Sequence, residues 1–256
     1  MGRKAKYPDH EQEAKQLMNE LLDEVADAWN SEDEPELKTI AEEVGISAAK
    51  LRKLLITAGE RDHATYFDSP VAMQIVRLKK EGKSVEEIQA ATGLSYSSVQ
   101  GYLPHQSVYN LDTMSAECER IRIYRQRKKS VEELAAHLGK IDQSVYLWRT
   151  IIAFQAYPFS TAGRGIKFMY EVSKEGKAGG RHYEGENVDG YGNELWVVKD
   201  GQRAGKSIAR STVDLAFRNA LEMEGNVKGP KALGVPGAGS YLYPLLIRFG
   251  VIKRFE

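Results

Sequence analysis

The chain has 256 residues with 36 basic and 36 acidic side chains, five histidines and a single cysteine, Cys118. That length holds two or three domains with their own cores, the balanced charge excludes a protein that coats nucleic acid by bulk attraction, and one cysteine excludes a disulfide framework or multi-cysteine metal site. No apolar run approaches the ~20 residues that span a bilayer, and the N-terminus MGRKAKYPDHEQ lacks the apolar stretch of a signal peptide, so a soluble, cytoplasmic chain is expected.

The neutral total hides a gradient. Residues 1–70 carry 9 basic and 16 acidic groups, net −7; residues 71–155 carry 12 and 9, net +3; residues 156–256 carry 15 and 11, net +4. A surface for an acidic partner is therefore expected in the central and C-terminal parts.

In chain order, Asp9 with Gln12 three residues on is placed to cap a helix whose stripe is Leu17, Leu21, Leu22, Val25, Ala28 and Trp29. SEDEPE (31–36) breaks it. Residues 36–57 then read as two short helices joined at Gly45, the second offering Ala48, Ala49, Arg52 and Lys53 outward. Arg52 and Lys53 are candidate phosphate contacts, although the acidic surroundings fit a packing or dimerising unit equally well. Together these make an N-terminal unit, 1–65.

Ser69-Pro70 starts the next helix: serine caps, and proline at the first turn gives up an amide that has no helical partner anyway. SVEEIQAATGLSYSSVQGYL (84–103) follows. Ser84 and Glu87 form a capping box, Gly93 suits the left-handed residue that ends a helix, and Ser95 caps another. Ile88, Leu94, Val99, Tyr102 and Leu103 point to a small core, leaving Tyr96, Ser97, Gln100 and Gly101 outward. These residues form a central unit, 66–110. The frame recurs: Ile40, Gly45, Ile46, Ser47, Leu51 and Leu55 lie 48 positions before Ile88, Gly93, Leu94, Ser95, Val99 and Leu103.

A third copy, SVEELAAHLGKIDQSVYLWR (130–149), aligns 46 positions after the central one and completes a unit over 111–155. Asn110-Leu111-Asp112 reads as a turn, and a helix begins near Ser115. On it Arg122, Arg125 and Lys129 share one face, with Arg127 beside them, a spacing suited to tracking phosphates. In the third copy Ile141 replaces the capping serine, so the cap slips to Asp142. Gln143, Tyr146 and Arg149 then face outward.

The three copies, most clearly Ser84, Ile88, Ala91, Gly93, Leu94, Ser95, Ser98 and Val99, resemble the helix-turn-helix of bacterial transcription regulators, resolvases and the promoter-reading domain of sigma factors. The resemblance covers residues 1–155. It implies sequence-specific binding of double-stranded DNA by a nucleoid-associated regulator, with Tyr96, Ser97 and Gln100, and in the third copy Gln143 and Tyr146, facing base edges. Arg149 joins the phosphate-contacting set. It implies no cofactor.

Beyond residue 155 the pattern changes. GIKFMYEV (165–172) and ELWVV (194–198) alternate as strands. The intervening glycine-rich loop carries Lys174, Lys177, Arg181 and His182, either reaching a minor groove or standing disordered. Ser211 and Asp214 read as a capping box, and GSYLYPLLIRFGVI is too apolar for solvent, so it completes a core or a homodimer interface. The expected fold is mainly α: three tandem trihelical units and a small α+β module, 156–256.

Enzyme signals are weak here. GQRAGKS (201–207) encloses three residues between its glycines where a nucleotide loop needs four. Asp189, Glu194 and Lys199 match no defensible nuclease spacing, and the histidines have no ligand pattern. The alternatives to a regulator are a DNA-processing enzyme targeted by its helical units and a protein-binding scaffold.

Overall fold

A computed structural model describes residues 10–61, 63, 69–107, 110–174 and 188–253, apart from the Lys206 side chain. The fold is mainly helical with one small antiparallel sheet. It divides into two compact units, 1–125 and 126–256.

In the first unit, α1 (Glu11–Asn30), α2 (Leu37–Val44) and α3 (Ala48–Glu60) bury the stripe read from the sequence, with Leu21, Leu22, Val25, Leu51, Leu54 and Leu55 at 0–1% exposure. The anticipated cap Asp9 lies outside the described residues. Gly45 ends α2 at φ +77°, and Ser47 Oγ accepts from the Lys50 amide to open α3. A second cluster, Ile75, Ile88, Val99 and Leu103, is enclosed by α4 (Pro70–Lys80), α5 (Val85–Thr92) and α6 (Tyr96–Tyr102). Its local signals form as expected. Ser69 caps α4, Ser84 and Glu87 complete the reciprocal capping box, Gly93 sits at φ +71°, and Ser95 Oγ accepts from the Ser98 amide.

The third copy does not form as a separate set. A single helix, α7 (Leu111–His137), begins within the expected turn, where Asn110 Oδ1 accepts from the Thr113 amide, and runs through the expected cap Ser130. Its sequence holds neither glycine nor proline and is rich in Arg, Lys, Glu and Ala, so nothing local interrupts it. The Ser130 hydroxyl donates back to Arg127 O within the helix instead of capping a new one. The first half of α7 places Met114, Cys118, Ile121 and Tyr124 in the core of the first unit. The division between units falls within this helix, between Arg125 and Gln126.

In the second unit, β1 (Phe159–Ser160), β2 (Lys167–Lys174), β3 (Tyr191–Lys199) and β4 (Gln202–Ala209) form an antiparallel meander. Phe168, Tyr170, Val172, Leu195, Val197 and Ile208 share one core with α8 (Gln143–Ala153), α9 (Arg210–Glu222) and α10 (Gly239–Arg248). Two strands went unread in the sequence. GQRAGKS is the β3–β4 turn followed by strand, not a loop before a helix; Asp200 (φ +49°) and Gly201 (φ +75°) take the paired left-handed angles of a tight hairpin. The Ser211–Asp214 box also fails: the N-cap is Ala209, two residues before Ser211, and Asp214 accepts the Ser144 hydroxyl at 2.7 Å. Asp142 does precede α8, but its side chain makes no cap hydrogen bond. The apolar C-terminal segment becomes α10 and is consumed by the core of the unit. Among the described residues, no helix is long and apolar enough to cross a membrane.

Candidate nucleic-acid interface

The first unit leaves one expected reading face open. On α6, Tyr96 is 54% exposed, and Ser97 is exposed beside it. Gln100, one turn on, donates to Tyr96 Oη at 3.3 Å, and Ser97 Oγ lies 3.1 Å from the capping Ser95 Oγ. These bonds are local, so the groups stay available to an outside partner. Gly101 does not belong to this face: it is half-buried, and a Cβ there would lie 3.5 Å from an Arg52 nitrogen. Lys79, exposed near the end of α4 with no acidic partner among the described residues, is a cation the sequence reading passed over.

The expected phosphate-contacting residues are engaged elsewhere. Arg122 pairs with Glu20 and Glu24 at 3.3 Å each, and Arg125 with Glu24 and, at 3.1 Å, Asp27. These acids sit on α1, about 100 positions upstream, so sequence neighbours gave no warning. Arg122 and Arg125 thus hold α7 against α1. Arg127 donates to the carbonyls of Ala153 and Gln155 and lies over the Phe154 and Tyr157 rings. Arg149 reaches Asp189 at 3.5 Å and covers Tyr146. Lys129 faces Glu133 at 3.8 Å and remains 75% exposed. Arg52 and Lys53 turn toward α6. Arg52 donates to Tyr102 Oη at 3.2 Å with its guanidinium 4.1 Å from the ring centre, and Lys53 Nζ donates to the Gln100 carbonyl at 2.9 Å.

The expected base readers of the third copy are also occupied. Gln143 Oε1 accepts from the Gly139 amide at 2.9 Å, tying off the turn before α8, while Tyr146 stacks on His137 at 3.5 Å. The other face of α8 explains this. Leu147, Trp148 and Ile151 are buried against the sheet, making α8 a core helix of the second unit.

A further ionisable group, His105, lies in the segment after α6 that packs on the end of α3. The His105 amide donates to Thr57 Oγ1 at 2.9 Å, and Arg61 donates to the His105 carbonyl. Burial, and then the charges of Lys50, Lys53 and Arg61, pull its imidazole down to about 4. The fold therefore holds His105 neutral, while the unfolded chain takes up a proton below about 6.5. The stability contributed is full above pH 6.5 and is lost as pH falls toward 4. Thermal unfolding followed between pH 7 and 4.5 is expected to decline less steeply for His105→Gln than for the parent; equal slopes would disprove the assignment.

In the second unit, residues 228–240 line an open trough of about 910 Å³ walled by Pro230, Ala232, Val235 and Pro236. Gly239 in its lining lets the chain pass close to the Pro230 carbonyl, since a Cβ there would meet Pro230 O at 2.5 Å. Of the loop cations anticipated to reach a minor groove, Lys174 ends β2, and Lys177, Arg181 and His182 lie outside the described residues. Asp189 pairs with Arg149 and Lys199 donates to Tyr241 Oη, and no group of three or more metal-ligating side chains occurs among the described residues.

The architecture thus defines a mainly helical protein with a four-stranded antiparallel meander and an exposed short helix in its first unit. In comparisons with known proteins, no family model, curated sequence or solved structure matches the chain.

Proposed function

We propose that this chain is a sequence-specific double-stranded DNA-binding protein that regulates transcription in a bacterium or mobile element. In this reading α1–α3 and α4–α6 are two trihelical units, and α5 and α6 act as a helix-turn-helix that offers Tyr96, Ser97 and Gln100 to base edges in the major groove. The observation that carries it is the outward face of α6. A seven-residue helix capped by Ser95 keeps Tyr96 and Ser97 exposed and the half-buried Gln100 beside them on one face, while the apolar residues of its other face are packed. At the end of α4, exposed Lys79 has no acidic partner among the described residues and suits phosphate contact, whereas Arg77, Lys80 and Lys83 around it pair with Glu81, Glu60 and Glu87.

Retention of a random duplex pool on the full chain tests the proposal. A short enriched motif supports it. Binding without enrichment removes base reading, and no binding at low salt favours the protein-contacting scaffold. Magnesium-dependent nicking of supercoiled plasmid would instead favour a DNA-processing enzyme. The stoichiometry of the retained complex tests for a homodimer.

The pairing on α7 sets a further expectation. Arg122→Ala is expected to leave the salt dependence of duplex binding unchanged, because its charge is already met by Glu20 and Glu24. Its effect on stability is expected to be at most about 1 kcal/mol, as for other solvent-screened pairs. A fall of about one in the slope of log affinity against log salt would restore Arg122 as a phosphate contact.

A further inference from the structure

A seven-residue helix with the sequence YSSVQGY has little reason to persist by itself. It combines two serines, a β-branched valine and a glycine, all poorer helix formers than alanine, and it is far shorter than isolated helices that survive in water. Four buried side chains make up its own cluster. Ser95 holds the N-terminal end. At the C-terminal end, the last turn of carbonyls needs donors from outside the helix.

One such donor comes from α3 and joins the Leu103 amide on the Gln100 carbonyl. Lys53 Nζ reaches the Gln100 carbonyl, the end of a helix where positive charge is favoured. Arg52 meets Tyr102 with both its hydrogen bond and its cationic face. One turn further along α3, buried Thr57 accepts the His105 amide and fixes the chain leaving α6. Burial next to Lys50 lowers the Lys53 ammonium pKa, as fits a cation drawn into a contact away from bulk solvent.

Resting on the DNA-reading proposal above, we propose that α3 is a clamp and not a second reading helix: Arg52 and Lys53 are positioning residues that hold α6 in its reading orientation. The two matching copies in the N-terminal half then divide the work. One presents side chains to bases, and the other spends the equivalent outward residues on orienting the first. The chain's first unit reads one short contiguous block of base pairs.

The test uses the full chain carrying Arg52→Met together with Lys53→Met, which keeps the side-chain stems, and Lys53→Arg alone as the conservative variant. Selection from a random duplex pool and amide hydrogen exchange over α6 are measured for each. The double variant is expected to lose preference for the selected duplex over random duplex by about tenfold or more, within the worth of a good base contact. Affinity for random duplex and its salt slope should hold, α6 amides should exchange faster, and Lys53→Arg should retain preference.

A salt slope lower by about one per cation removed, with preference intact, would make these residues phosphate contacts and overturn the clamp. So would a parent motif of two separated blocks, or unchanged α6 exchange in the double variant. If the parent selects no motif, the DNA reading fails, and the exchange measurement alone decides whether α3 holds α6.

Discussion

Trp148→Ala is expected to destabilise the second unit by about 3–5 kcal/mol, the range for removing a large aromatic from a packed core. Trp148 is fully buried among Leu147, Ile151 and the sheet residues, its Nε1 donates to the Gly192 carbonyl at 3.3 Å, and the Arg210 guanidinium lies 5.4 Å from its ring centre. Alanine leaves a cavity, removes a donor to the Gly192 carbonyl and strips a buried arginine of an aromatic neighbour. Because single domains are stable by only about 5–15 kcal/mol, much of the margin of this unit would go. Denaturant unfolding followed by near-ultraviolet circular dichroism should show an early transition absent from the parent. An unchanged midpoint would mean that α8 is not a core helix. The same packing predicts that a fragment of residues 66–155 behaves poorly: it keeps Trp148 and Ile151 but discards the strands and helices that bury them, and it keeps the basic face of α7 without the acids of α1.

Gln100→Ala is expected to cost about 1–3 kcal/mol on the preferred duplex and little on random DNA, the signature of a lost base contact. The salt slope should stay constant, since no phosphate contact is removed. Stability should change by less than about 0.5 kcal/mol, because the side chain bonds only to the exposed Tyr96 hydroxyl. Gln143→Ala should act in the opposite way. It removes the acceptor for the Gly139 amide before α8 and should lower the stability of the second unit without altering sequence preference. Equal losses on preferred and random duplex for Gln100→Ala would remove α6 as the reader.

Much of the first unit was legible along the chain. Gly45, Gly93, Ser47, Ser69, Ser84 and Ser95 act within four residues of their own position, so the turns and caps they specify follow from backbone chemistry alone. The 3.6-residue stripe of α1 and the alternation of GIKFMYEV are equally local, and both elements form where the periodicity places them.

The third copy shows where local signals stop. SVEELAAHLG matches the central copy nearly letter for letter at its start, yet Ser130 lies inside α7 because the preceding residues continue a helix, where the central copy is preceded by Gly82 at φ +82°. A capping residue can end nothing by itself; it works only where the chain has already left the helix. Site assignments depended still more on distant partners. The spacing of Arg122 and Arg125 puts them on one face, but the acids they pair with, Glu20, Glu24 and Asp27, lie on another helix and are invisible to that spacing. Likewise, the sequence pattern puts Arg52 and Lys53 on the outward side of α3, whereas the packing of α3 on α6 leaves both half-buried in contact with α6. Local composition therefore settles a cap or turn only where the flanking chain permits it, whereas the use of a charged face is a long-range electrostatic and packing matter that exists only once the chain has brought its partners together.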